Sequence, residues 1–224
     1  MRVAIVSDIH ANFFALDGLL DVLHDADLTV CLGDLTGYYC QPNEVCDAMR
    51  QLNAICLRGN HDHYALAGAP ERVSDAVKWG VAFTQAHLSP ENHSWLQTLP
   101  PMRTEVWGTF SALLVHGAPW DPLEAYLYAD DPRLGELERL DFDLVAFGHT
   151  HRALNRPGRP TLLNPGAVGQ SRDATAEACA AVLDTDTRAV ELVRCPYDPR
   201  PVMNMARSNG AGGWITKHLE SVAT

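Results

Sequence analysis

Polar side chains follow short apolar runs at five places in the chain, and they include Asp, Asn and His, the residue types that most often bind metals. The five stretches are Val6-Ser7-Asp8-Ile9-His10, Leu32-Gly33-Asp34, Gly59-Asn60-His61-Asp62, Leu114-Val115-His116-Gly117 and Phe147-Gly148-His149-Thr150-His151. Open α/β sheets build their sites beyond the carboxyl ends of buried strands. We therefore expect five strand ends to converge on one metal centre.

The spacing and the donor types narrow the chemistry of this centre. Asp8 and His10 are two residues apart, as are His149 and His151, and in an extended segment this spacing places both side chains on one side. Carboxylate, amide and neutral imidazole together suit Mn, Fe, Co, Ni or Zn, whereas an all-oxygen set would suit Mg or Ca. The sequence therefore favours a transition-metal site.

The five blocks, in this order, resemble those of the calcineurin-like metallophosphoesterases, and especially the small bacterial and archaeal phosphodiesterase-like members. The resemblance runs from the first strand to about residue 175, with every block intact. It implies an α/β fold, namely a four-layer αββα sandwich of two mixed β-sheets flanked by helices. It also implies an enzyme that hydrolyses phosphoester bonds with a metal-activated water.

The resemblance further implies a ligand set for two divalent metal ions, with Mn expected first and Fe, Zn, Co or Ni as alternatives. Carried over position by position, one ion would be bound by Asp8, His10, Asp34 and His151. The other would be bound by Asp34, Asn60, His116 and His149. Asp34 would bridge the two ions.

Two catalytic residues are implied by the same resemblance. His61 is not needed as a ligand in that set, and the resemblance implies that it protonates the leaving oxygen or donates a hydrogen bond to the phosphoryl group. Asp62 would orient His61, as carboxylates orient imidazoles elsewhere.

Four further residues are candidates for substrate contacts. Arg58 precedes the third block and would either meet a phosphate or form a structural ion pair, the interpretation we favour. Tyr38, Tyr39 and Trp120 follow Asp34 and His116 in loops. They would stack on a base or aryl group, or simply anchor those loops.

The expected substrates are phosphodiesters of modest size. A phosphomonoester carries more charge and would gain from cationic side chains, but near the motifs only Arg58, Arg152 and Arg172 are available. A phosphomonoesterase or a Ser/Thr protein phosphatase with the same metal centre is the alternative. A non-catalytic scaffold is disfavoured because all the motif residues are present, and a nuclease is disfavoured by the lack of a Lys/Arg cluster.

The composition limits the domain organisation, the class of ligand and the location that we expect for the chain. The 224 residues are 46% apolar, which fits one domain over residues 1–224 with a peripheral tail from about residue 198. Seventeen basic and 28 acidic residues give a net charge of −11, which disfavours long nucleic acids but not small phosphoesters at a metal site. We expect a cytoplasmic protein without a membrane segment and with six reduced cysteines. Formation of a homo-oligomer is compatible with this sequence.

Periodicity predicts alternating strands and helices, with parallel pairing at the start of the chain. The expected helices cover residues 13–24, 43–52, 73–87, 89–96, 131–140 and 214–222, and the expected strands cover residues 2–7, 29–32, 54–57, 103–107, 110–115, 144–147, 153–155, 161–163, 179–183 and 189–193. Gly108 lies between two of these strands and predicts a hairpin that opens a second, mostly antiparallel sheet.

Overall fold

The computed structural model describes residues 1–173 and 177–220. It contains two five-stranded β-sheets with helices outside them. The strands are β1 (Arg2–Val6), β2 (Leu28–Cys31), β3 (Ile55–Cys56), β4 (Met102–Trp107), β5 (Phe110–Val115), β6 (Leu144–Ala146), β7 (Ala153–Arg156), β8 (Thr161–Pro165), β9 (Glu177–Asp184) and β10 (Val190–Pro196). The helices are α1 (Phe13–Asp17), α2 (Leu20–His24), α3 (Pro42–Gln51), α4 (Asn60–Ala67), α5 (Asp75–His87), α6 (Pro90–Thr98), α7 (Leu134–Leu137), α8 (Arg200–Ser208) and α9 (Gly213–Glu220).

Both sheets mix parallel and antiparallel pairs. The first has the order β10-β9-β1-β2-β3, with β1, β2 and β3 parallel and β9 antiparallel to both β1 and β10. The second has the order β4-β5-β6-β8-β7, with β5, β6 and β8 parallel. The predicted hairpin of β4 and β5 is present. The prediction that the second sheet is mostly antiparallel is wrong, because its three central strands are parallel and only its edge strands reverse direction.

Strand alternation fills the space between the sheets. Val3 and Ile5 of β1 point into the inter-sheet core, whereas Ala4 and Val6 pack against the helices on the other face. On the second sheet, Leu114 joins the same inter-sheet core. Because both faces of these strands are buried, they appear in the sequence as continuous apolar runs. The layers agree with the four-layer αββα sandwich that the family resemblance implied.

Two helix predictions need correction, and two helices, α4 and α8, were not predicted. The helix expected over residues 13–24 is divided into α1 and α2 at Gly18, where helix propensity falls and the Leu19 amide bonds the carbonyl only three residues back. The helix expected over residues 131–140 shrinks to the single turn of α7. Helix α4 was not predicted, because Asn60-His61-Asp62-His63 has no apolar stripe.

The last two described helices pack beside the loop that follows β2. Val202 and Met203 of α8 and Ile215 of α9 belong to one apolar cluster with Tyr38 and Tyr39 of that loop. The terminal helix expected over residues 214–222 is described as α9, and its expected last two residues lie outside the described part of the chain. None of the described helices is long and apolar enough to cross a bilayer.

Candidate metal centre

The carboxyl ends of parallel strands in both sheets meet at one site. Asp8 and His10 follow β1, Asp34 follows β2, and Asn60 begins α4, which is separated from β3 by a short connection that ends at Gly59. His116 follows β5 of the second sheet, and His149 and His151 follow β6. Since the two sheets are stacked, their strand ends open on the same side. Four predicted ligands therefore come from one sheet and three from the other.

The structure brings the carboxylates and imidazoles among these residues together in two overlapping groups. One group is Asp8, His10, Asp34 and His151, and the other is Asp34, His116 and His149. Within each group the ligand-type atoms lie within 4.8 Å of one another, and every residue is buried. Asp34 is common to both groups, as the proposed bridging role requires.

One oxygen of Asp34 lies between the two groups. Its Oδ2 is 3.6 Å from Nε2 of His10 and 3.5 Å from Nε2 of His116. His151 Nε2 is 3.1 Å from His10 Nε2 and 3.3 Å from Asp8 Oδ1. At this distance two protonated nitrogens would repel each other, whereas two unprotonated nitrogens can each donate a lone pair to a shared cation.

Three of the atoms that would bind a cation have no hydrogen-bond partner among the described residues. Asp8 Oδ1, Asp34 Oδ2 and His149 Nε2 are buried and accept or donate no hydrogen bond among the described residues. The other oxygens of the two carboxylates are occupied, because Asp8 Oδ2 accepts from the amide of His149 and Asp34 Oδ1 accepts from the amide of His61. Buried polar atoms are rarely left unpaired without a functional reason. The residues therefore fit a bound divalent cation.

Backbone carbonyls set the orientation of three imidazoles. Nδ1 of His10 lies 3.2 Å from the carbonyl of Thr36, and Nδ1 of His116 lies 3.0 Å from that of Leu32. His151 makes the equivalent contact with the carbonyl of Gln170 at 2.7 Å. Each contact requires a proton on Nδ1, which leaves the Nε2 lone pair facing the centre. The sequence alone did not reveal these carbonyl partners.

Asn60 extends the second group with an amide oxygen. Its Oδ1 lies 3.1 Å from Nε2 of His116, and the residue is buried at the first turn of α4. The amide of His61, one residue further into the helix, donates to Asp34 at 2.8 Å. The start of α4 therefore both supplies a ligand-type oxygen and holds the shared carboxylate in place.

Burial governs the protonation of the site. Burial, together with the neighbouring Asp8 and Asp62 carboxylates, raises the pKa of Asp34 well above its usual value. Burial also lowers the pKa of His61 to about 3 and that of His149 to about 2, so both rings are neutral near pH 7. A site of crowded carboxylates and neutral imidazoles has the electrostatic character that a divalent cation satisfies.

The backbone is left-handed at five of the predicted ligands. The φ angles are 57° at Asp8, 54° at His10, 55° at Asp34, 66° at His149 and 59° at His151. Non-glycine residues adopt this region at a cost of about 1–3 kcal/mol each, and such residues cluster at functional sites. The turn that each strand makes as it leaves the sheet is thus what aims its ligand at the centre.

Asp62 does not orient His61, so that prediction is corrected. The Asp62 carboxylate accepts hydrogen bonds from the amides of Gly59, Leu35 and Thr36 and from the Thr36 hydroxyl. Residues 61 and 62 both lie in α4, and consecutive helical side chains point about 100° apart. Asp62 instead fixes the loop that follows Asp34.

That loop covers one edge of His61. A Cβ added to Gly37 would lie 2.3 Å from His61 Nδ1, so only glycine permits this approach. The Tyr38 ring lies on the same histidine, with ring centroids 4.7 Å apart and planes tilted by 34°. Since Nδ1 is buried without a partner, Nε2 is the ring nitrogen left to meet a ligand.

Three of the four predicted substrate contacts lie outside the cleft beside the centre, which has a volume of about 400 Å³. Of these four predicted contacts, only Tyr38 lines the cleft. Tyr39 is fully buried among core residues. The amide of Arg58 donates to the carbonyl of Pro100, but its side chain forms no ion pair with any described residue, so the favoured ion-pair interpretation is wrong. Trp120 lies in a separate depression with Leu137 and carries the Arg133 guanidinium over its ring.

Besides Val73, Ser74 and Val77, the cleft lining contains five residues that the sequence-based site lacked. They are Tyr64, Arg72, Glu124, Tyr126 and Arg172. Glu124 accepts a short hydrogen bond from the Tyr64 hydroxyl and pairs with Arg72 at 3.4 Å. Tyr126 packs on His149 with ring centroids 3.9 Å apart. Tyr64 lies in α4, which was not predicted, and the other four come from loops without periodicity, although Arg172 was noted for its position near the last motif.

Comparison with known proteins gives a consistent family. The model of the calcineurin-like phosphoesterase superfamily domain matches residues 1–188. An uncharacterized protein of Methanocaldococcus jannaschii is 28% identical, with 97% of this chain and 96% of that protein covered. A metallophosphoesterase from Sphaerobacter thermophilus is also 28% identical, with a TM-score of 0.83 over 99% of this chain and 98% of that one. A hypothetical protein from Pyrococcus horikoshii shares the fold at 20% identity, with a TM-score of 0.87 and 96% of both chains covered.

The contact between Gly37 and His61 predicts different outcomes for two glycine substitutions. Gly37→Ala places a methyl group against His61, whereas Gly68→Ala meets nothing within 4 Å, although both residues have positive φ. Both variants should lose stability through backbone strain, but Gly37→Ala should lose about 1–3 kcal/mol more because of the clash. Urea unfolding measures the loss, and the imidazole NMR signals of His61 should shift only in Gly37→Ala. Equal losses with an unmoved His61 would contradict the packing described.

Proposed function

Because the chain belongs to the calcineurin-like phosphoesterase superfamily and is therefore a hydrolase of phosphoester bonds, we propose that it binds two divalent metal ions and cleaves small phosphodiesters. The observation that carries the proposal is the position of Asp34 Oδ2, unpartnered and within 3.6 Å of imidazoles from both ligand groups. A single carboxylate shared by two ligand groups is what a binuclear centre requires.

We assign the ligands as follows. Asp8, His10, Asp34 and His151 would hold one ion, and Asp34, Asn60, His116 and His149 would hold the other. Ions at such a centre lower the pKa of a bound water and offset charge on the phosphoryl group. Manganese is the first choice for a mixed set of carboxylate, amide and imidazole donors, and Fe, Zn, Co and Ni fit the same set.

His61 is proposed to act on the substrate by donating a hydrogen bond through Nε2. No carboxylate contacts its ring among the described residues, and burial keeps the pKa of the imidazole low. A neutral imidazole is a poor acid but a good N–H donor. We therefore place His61 opposite an oxygen that gains charge during the reaction, with the loop fixed by Asp62 holding the ring there.

The charge in the cleft favours substrates with a single negative charge. Two arginines line it, but Arg72 is paired with Glu124, so the pair adds little net charge. Arg172 lies near Tyr38 and Tyr126, where it opposes the effect of burial on the pKa of both phenols. One effective cation besides the metals suits a diester better than a monoester dianion.

A cytoplasmic location and a single domain over residues 1–224 complete the proposal. All six cysteines are free thiols, and five of them are buried. Unpaired cysteines are usual where the surroundings are reducing.

The first test concerns the number of metal ions. Asp34→Asn should weaken both sites, because its oxygen is shared, whereas His151→Ala should weaken mainly one. The metal content after reconstitution with excess Mn²⁺ and dialysis measures the effect. Asp17→Asn, at an exposed carboxylate, is the control and should retain two ions per chain. Finding at most one ion in the unaltered protein would exclude a binuclear centre.

The second test concerns His61. His61→Asn should retain the metals and lose about 10²–10³-fold in kcat, the usual cost of removing a donor to a developing charge. His63→Asn, two residues along the same helix and outside the cleft lining, should be nearly unaffected. A loss of similar size for good and poor leaving groups supports hydrogen-bond donation. A loss that vanishes for nitrophenolate would assign proton transfer instead.

The third test compares ester classes. The Mn-loaded protein should hydrolyse bis-(p-nitrophenyl) phosphate with a kcat/KM at least equal to that for p-nitrophenyl phosphate, after correction for intrinsic reactivity. The reason for this expectation is that, of the two arginines in the described cleft lining, Arg72 is paired with Glu124 and Arg172 forms no ion pair with a described residue. Rapid turnover of the monoester with an inert diester would replace the proposal by a phosphomonoesterase or protein phosphatase with the same centre.

A further inference from the structure

A pair of tyrosines extends outward from the candidate metal centre. The Tyr126 ring packs on the His149 ring with centroids 3.9 Å apart. The Tyr128 ring is nearly parallel to that of Tyr126, with centroids 6.0 Å apart and planes 8° from parallel. Despite these contacts, Tyr126 is 42% exposed and Tyr128 is 41% exposed. Two aligned and partly exposed rings therefore begin at a predicted ligand of the second ion.

The loop that carries these rings is fixed by hydrogen bonds. Arg133 donates to the carbonyl of Tyr126 at 3.2 Å, and the amide of Asp131 donates to the carbonyl of Tyr128 at 3.0 Å. On the other side, Glu124 is held by the Tyr64 hydroxyl across the cleft. A binding surface that is rigid before a ligand arrives loses less entropy on binding.

We propose that Tyr126 and Tyr128 form a stacking platform for a planar aromatic group attached to the phosphate, so that the preferred substrates are phosphodiesters of nucleosides or of aryl alcohols. The inference rests on the proposed function, because the metal centre must hold the phosphate beside the platform. Bases and aryl groups both have a π-face, and a phenol ring can stack on either of them without forming hydrogen bonds to its edge. These rings would not increase the binding affinity for an aliphatic or sugar ester.

A simpler explanation is that Tyr126 only supports His149. Under that explanation Tyr128 has no function, because its described ring contact is with Tyr126 and not with a predicted metal ligand. It also predicts that removing Tyr126 weakens every phosphate ligand alike. The two explanations are therefore separated by Tyr128 and by matched ligands with and without an aromatic group.

The experiment measures dissociation constants of two ligand pairs on the Mn-loaded full-length protein by calorimetry. AMP is compared with ribose 5-phosphate, and phenyl phosphate with methyl phosphate, so each pair differs mainly by the aromatic group. The aromatic member should bind about tenfold more tightly in at least one pair, the usual size of a single stacking contact. Tyr128→Leu should reduce that ratio severalfold and leave the affinity for the non-aromatic member unchanged.

Two further variants serve as controls. Tyr126→Phe should preserve the ratio because the ring remains, and Trp120→Leu should preserve it because Trp120 lies in a different depression of the same loop region. A gain with AMP alone identifies a nucleobase as the stacked group, whereas a gain with phenyl phosphate alone identifies a simple aryl ester. Equal affinities within both pairs, or a ratio that Tyr128→Leu leaves intact, would overturn the platform. If bis-(p-nitrophenyl) phosphate is still hydrolysed in that case, the proposed function survives and only the platform fails.

Discussion

The burial of two carboxylates beside a set of neutral imidazoles is the constraint on which the rest of the structure depends. Asp8 and Asp34 are removed from water, and each has one oxygen satisfied by a backbone amide and one left without a partner. Such an arrangement is costly in a protein interior unless a cation compensates it. The amides at the start of α4 and after β6, and the carbonyls behind the imidazoles, all act to direct the remaining atoms toward one point.

The polypeptide achieves this by leaving each sheet through a sharp turn. The left-handed φ angles at five predicted ligands are each unfavourable alone, and they persist because the strands behind them are held by a fully buried core. Close approach completes the arrangement. A Cβ on Gly59 would lie 2.1 Å from Asp34 Oδ1, so glycine between β3 and α4 is what allows neighbouring strand ends to share one site.

The sequence predicted the parts of the structure that have a local signal. Each strand of the site is an apolar run that ends in Asp, Asn or His, and the family resemblance supplied the pairing of ligands, which the structure brings together. The role that the resemblance implied for Asp62 was wrong, because the sequence does not show that backbone amides of Gly59, Leu35 and Thr36 already occupy its carboxylate. Tyr126 and Glu124 were missed because they lie in an irregular loop, and their contacts with His149 and Tyr64 depend on tertiary folding alone.

The position of β9 has a consequence for how the chain is made. Strand β1 delivers Asp8 and His10, yet one of its two neighbours in the sheet is β9, which lies more than 170 residues later in the sequence. During synthesis from the amino terminus, β1 can pair with β2 while its other edge stays bare until β9 emerges from the ribosome. An open strand edge invites pairing with other chains. The growing polypeptide therefore carries Asp8 and His10 at the end of a strand with one unpaired edge for most of its translation.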